Sequence, residues 1–101
     1  MGLFDDIRVS DKINLPDFPE GAIRAFQTKS LGCEMCQYEI DENGKLFFAH
    51  WNKENGKYVL VKDGECQRTV GIELYISVNN VWYEYIVLLK KGKVIHIEKV
   101  K

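Results

Sequence analysis

The chain has 101 residues, 46% hydrophobic and 29% charged, with 14 Lys and Arg against 15 Asp and Glu and a formal net charge of -1. That is one domain, residues 1–101, with room for a core but little stability to spare, and a composition that excludes a disordered chain. The charge balance excludes a general nucleic-acid binder, which carries a basic excess, and no apolar run approaches the ~18–20 residues of a membrane-spanning helix.

Met1–Val9 carries Leu3, Phe4, Ile7 and Val9, a spacing that fits a short helical turn or an edge strand. It lacks the n-region and h-region of a secretory signal, and Asp6 stands where a myristoylation motif has Ser or Thr. A cytoplasm is therefore the expected compartment, with the three cysteines as reduced thiols. Ser10 to Gly21 holds both prolines, Pro16 and Pro19, and reads as a loop. Ile23–Thr28 reads as a strand and Lys29–Cys33 as a turn ended by Gly32. Met35–Asp41 and Lys45–Trp51 flank Glu42-Asn43-Gly44, and Asn-Gly between alternating segments signals a hairpin. A loop over Asn52–Lys57 leads to a strand over Tyr58–Lys62, a turn at Asp63-Gly64 and a polar connection over Glu65–Val70.

The last third is the most regular. Ile72, Leu74, Ile76 and Val78 alternate with Glu73, Tyr75 and Ser77, which is the period of a strand. Asn79-Asn80 suits a two-residue type I′ turn, because Asn tolerates a positive φ. The return strand Val81–Leu89 then sets Val78 against Val81, Ile76 against Tyr83, Leu74 against Tyr85 and Ile72 against Val87. A second turn at Lys91-Gly92 sets Leu88 against Ile95 and Ile86 against Ile97. Val81–Leu89 thus has apolar groups on both faces. Such a strand is central, covered by the chain's own N-terminal half or by a partner. With so little helix to cover it, a homodimer is also expected. The whole predicts a mostly β fold with little helix: an antiparallel sheet, or a small barrel or sandwich, of about seven short strands.

Three clusters carry candidate chemistry. Cys33 and Cys36 have metal-ligand spacing, and Cys66 with His50 or His96 would complete a Cys₃His zinc site. A structural site usually shows two such pairs, and only one is present, so no metal and no cofactor is expected. Cys36 also opens an alternating strand, where a thiol packs as a small apolar group. The second cluster is aromatic: Trp51, Tyr58, Tyr75, Trp82, Tyr83 and Tyr85. Tyr and Trp bury area at low entropic cost and keep a polar handle. In the hairpin register Tyr75 opposes Glu84, beside Trp82 and Ser77. Trp82, Tyr75, Glu84, Tyr83 and Trp51 are thus the candidate binding residues, with core filling as the alternative role for the rings. The third cluster is His96, Glu98, Glu73 and Glu84. It has no nucleophile, and its residues alternate as exposed strand positions do, so the chain is read as a non-enzyme.

The motifs Met1-Gly2-Leu3-Phe4-Asp5 and Phe26-Gln27-Thr28-Lys29-Ser30-Leu31, followed by Cys33, resemble a family of small uncharacterised bacteriophage proteins. Members open MG-[ML]-FD and carry FQTK-x-[LF] after a short Pro-containing loop. The resemblance continues through Tyr38, Asp41–Leu46, Gly71–Tyr75 and Trp82–Tyr85, and omits Asn52–Val70. It implies a phage origin and action in the cytoplasm of an infected bacterium, and it implies no catalytic residue. Together with the aromatic strands, it leads to a non-enzymatic accessory protein that counters bacterial defence. Such a protein would occlude a host defence protein or sequester a nucleotide immune signal. The alternative is a structural or accessory component of the virion or replication machinery.

Overall fold

The computed structural model describes residues 4–31 and 36–100. Eight strands follow in chain order: β1 (Asp5–Val9), β2 (Ala25–Thr28), β3 (Gln37–Ile40), β4 (Leu46–Glu54), β5 (Lys57–Glu65), β6 (Val70–Val78), β7 (Val81–Lys90) and β8 (Lys93–Lys99). They form one mixed sheet in the order β5-β4-β3-β1-β2-β6-β7-β8, with no helix among the described residues. Every neighbouring pair is antiparallel except β1 and β3. That exception follows from connectivity. β2 returns on one side of β1, and the chain then crosses to its other side before β3 begins, so β3 runs with β1.

The β6–β7 hairpin forms in the expected register, from Val78↔Val81 through Ile76↔Tyr83 and Leu74↔Tyr85 to Ile72↔Val87. Asn79 and Asn80 take φ of 51° and 67°, as a type I′ turn requires. Ile72, Leu74, Tyr85 and Val87 are buried on the inner face. Lys91 and Gly92 form a second turn with positive φ, and Lys90↔Lys93 and Leu89↔Val94 pair as expected. Beyond them the register slips. A β-bulge leaves Ile95 unpaired, so Leu88 faces His96 and Val87 faces Ile97, instead of the expected Leu88–Ile95 and Ile86–Ile97. The slip is downhill, because it turns Ile97 to the core beside Val87.

β7 lies inside the sheet, but only its inner face is covered. Leu88 is 38% exposed and Ile95 61% exposed on the outside, so the N-terminal half does not cover that face as expected. Instead, the Pro-containing loop covers the inner face. Leu15 is buried, Phe18 packs on Phe26, Tyr83 and Tyr85, and the Tyr85 hydroxyl donates to the Pro16 carbonyl at 2.7 Å. Arg24 holds the loop by donating to the carbonyls of Ser10 and Ile13.

Three other expectations change. β1 is neither a helical turn nor an edge strand. It is central, with Ile7 and Val9 in the core and the buried Asp5 carboxylate accepting the Cys36 N–H at 2.9 Å. At Asn43-Gly44 the hairpin forms as a five-residue turn. Gly44 takes φ 78°, and the Asp41 carboxylate accepts the N–H groups of Asn43 and Lys45. The expected loop over Asn52–Lys57 is instead the tip of the β4–β5 hairpin, turning at Asn55-Gly56, and Asp63-Gly64 lies within β5 beside a bulge. That arm is exposed along most of its length, so it shows no buried alternation for a pattern to reveal.

A core with one covered face predicts unequal costs for its isoleucines. Ile72→Ala, at a fully buried site, should cost about 2–5 kcal/mol. Ile86→Ala, half-buried on the outer face, should cost clearly less. Equal shifts in urea midpoint would contradict the single covered face. The buried Tyr38 gives a pH signature. Its hydroxyl is pushed up to about 12, chiefly by burial and then by the negative charge of Asp5. The neutral phenol is therefore favoured in the fold. Its contribution to stability should be complete below about pH 10 and fall as pH rises towards 12. Tyr38→Phe should flatten that stretch of the stability–pH curve measured by denaturant titration.

Candidate functional site

The outer face of the sheet collects the exposed aromatic groups. Successive strand residues point to opposite faces, so Trp82 and Glu84 face outwards while Tyr83 and Tyr85 face inwards. Tyr75 and Trp82 are diagonal neighbours across β6 and β7, and their rings stack with centroids 5.6 Å apart and planes 20° apart. The Trp82 indole N–H donates to Glu84 Oε1 at 2.9 Å, which fixes the ring while leaving it 50% exposed. Tyr83 is the exception among the candidates. It lies edge-on to Phe18 at 5.5 Å under the Lys99 ammonium, and so belongs to the inner side.

Trp51 reaches the same outer face from β4. Arg8 of β1 places its guanidinium 5.8 Å from the Trp51 ring centre, in cation–π range. A depression of about 200 Å³ lies between Trp51, Leu60, Arg8, Gln37 and Ala25. A second, of about 270 Å³, lies between Ala25, Gln27, Tyr75, Ser77 and Trp82. Ala25 lines both, so the two depressions adjoin on the outer face and make up a trough in two parts, with Trp51 at one end and the Tyr75–Trp82 stack at the other. The small side chain of Ala25 keeps the middle low. Gln37 donates to Asp6 at 3.1 Å on the floor. The trough therefore offers ring faces, amide groups and one guanidinium. Neither Arg8 nor Ala25 stood out in the sequence, because only the order β4-β3-β1-β2-β6-β7 brings them between the aromatics.

The thiol candidates do not form a described cluster with a histidine. Cys33 lies outside the described residues. Cys36 is half-buried just before β3, and Cys66 is buried in the core, where burial pushes its thiol up. His50 sits on the exposed arm with Nδ1 2.6 Å from Asp63 Oδ1. Among the described residues no group of three His, Cys, Asp or Glu side chains is placed to hold a metal ion. His96 and Glu98 face outwards from β8, beside Leu88 and Ile86 respectively. No protein-family model, curated protein or solved structure matches the chain.

Proposed function

We propose that this protein acts by stoichiometric binding through the outer trough, without turnover, and that its partner is a protein segment laid between Trp51 and the Tyr75–Trp82 stack. The observation that carries this reading is the pair of depressions adjoining at Ala25, each flanked by aromatic rings, on a face the described residues leave uncovered. Exposed Trp rings, one of them backed by a half-buried Tyr, are the groups that anchor interfaces. The phage resemblance makes a host defence protein in the cytoplasm of an infected bacterium the partner class, with a nucleotide immune signal as the second candidate. In that case Trp82 would stack on a base. A component of the virion or replication machinery is the alternative role.

One ring that fills a partner pocket is worth roughly 1–3 kcal/mol, so Trp82→Ala should weaken binding about fivefold or more. Ala25→Lys, at an exposed site in the middle of the trough, should do the same without touching the core. The measurement is co-purification of the tagged protein from infected cells, with mass spectrometry of bound proteins and small molecules. Partner recovery that is unchanged in both variants, or multiple turnover of a bound molecule, would overturn the reading.

The homodimer is assigned to the free edge of β5. β8 is a protected edge, with a bulge at Ile95 and lysines at both ends, whereas β5 is regular from Lys57 to Lys62. A two-fold antiparallel pairing centred on Leu60 sets Leu60 on Leu60 and Val59 on Val61. It also sets Tyr58 on Lys62 and Lys57 on Asp63, so apolar meets apolar and opposite charges meet at both ends. It would extend the trough across the two-fold axis, because Leu60 lines it. Leu60→Cys should cross-link to a disulfide dimer under mild oxidation, and Val61→Pro should give a monomer by light scattering. A wild-type chain that stays monomeric at high micromolar concentration removes this assembly.

A further inference from the structure

We propose a second binding site, for a small anion carrying two or more phosphoryl groups, on a row of lysines where β4, β8 and β7 meet. Lys93 is the cross-strand partner of Lys90 in the β7–β8 ladder and of Lys45 through an isolated bridge. Directly opposed residues share a face, so Lys90 and Lys93 on adjacent strands and Lys45 at the end of the turn before β4 carry their ammonium groups on one face. Like charges so placed repel and destabilise the pairing. Lys91 adds a fourth lysine from the turn. Together they line a concavity of about 300 Å³ with Gln67 and Gly92. Its lining includes a single carboxylate, Glu65, 3.6 Å from the Lys45 ammonium. Four of the chain's 14 basic residues thus converge on one hollow of a protein whose formal charge is -1.

The backbone fixes the positions from which these side chains start. Leu46 donates to Gly92 at 2.7 Å, Val94 to Gly44 at 2.8 Å, and Gly92 to Arg68 at 2.8 Å. A bound multianion would remove the repulsion that this closure maintains. Lysine suits phosphate as a point charge that needs no fixed planar geometry. The row from Lys45 to Lys90 crosses two inter-strand spacings, about 10 Å between backbones, so a di- or triphosphate matches it better than a single phosphate. The lining holds no aromatic ring, so the site should recognise phosphoryl groups and not a base. The site lies apart from the trough, and its ligand is independent of the partner proposed there.

The test is calorimetric titration of the full chain with inorganic tripolyphosphate, phosphate, ATP and AMP at low salt. Tripolyphosphate and ATP should bind alike, and phosphate and AMP should bind at least tenfold more weakly. Equal binding by ATP and tripolyphosphate would place the source of affinity in the phosphates alone, and a strong preference for ATP would overturn the base-blind site. Lys93→Gln should weaken tripolyphosphate binding tenfold or more and also raise the melting temperature of the free protein, because it removes both repulsive pairs. Trp82→Ala should bind as wild type does. Equal affinity in wild type and Lys93→Gln, absence of binding at millimolar tripolyphosphate, or tighter binding to a duplex oligonucleotide would each overturn the proposal.

Discussion

The fold depends on one contact, where the turn between β7 and β8 meets the start of β4. A single layer of strands has two faces and two edges, and alone it encloses nothing. Here the backbone bonds between Leu46 and Gly92 and between Val94 and Gly44 draw β8 against β4. Seven strands therefore curl around one core, pinched at one end without closing into a barrel, and β5 hangs outside the ring. Gly92 makes the approach feasible. It has φ 77°, and any Cβ there would collide with the Cys66 carbonyl oxygen. Buried Cys66 continues the seam by donating its N–H to Leu46 at 2.9 Å.

The other open end of the core is covered by irregular chain. Two prolines stiffen the β1–β2 connection and so lower the entropy lost in ordering it. The Tyr85 hydroxyl and the Arg24 guanidinium satisfy its carbonyls at the core boundary. With the inner face covered in this way, the described residues leave the outer face open. The exposed Trp82, Leu88 and Ile95 are a consequence of that opening, and a binding trough is what it leaves available.

The β6–β7 register was legible because alternation, turn chemistry and apolar pairing all specify the same alignment. The β7–β8 slip was not, because the bulge answers to the core's need for Ile97, which no local pattern states. The β4–β5 arm was missed for the opposite reason. Asn52, Lys53 and Glu54 are polar on both faces, so strand and loop look alike. Trp82 and Tyr83 are adjacent, and adjacency in a strand separates side chains; grouping them as one patch set chain proximity above the pleat. Trp51, Tyr75, Trp82 and Glu84 do share a face. Arg8 and Ala25 join them only through strand order, and the row from Lys45 to Lys93 exists only because the β7–β8 turn meets the start of β4.

The fold also separates two chemistries that nucleotide binding would combine. A nucleotide held by a ring and a lysine would need both within one small pocket. Trp82 and Lys90 lie at opposite ends of β7, eight residues apart, which is about 27 Å along an extended strand. No nucleotide spans that distance. The ring-lined trough therefore suits a partner that reads shape and aromatic surface, and the lysine hollow suits one that reads charge. At the trough's rings, the Arg8 guanidinium lies over Trp51. If one ligand met both a ring and a cation, it would do so at that end, where the arm folds back over β1.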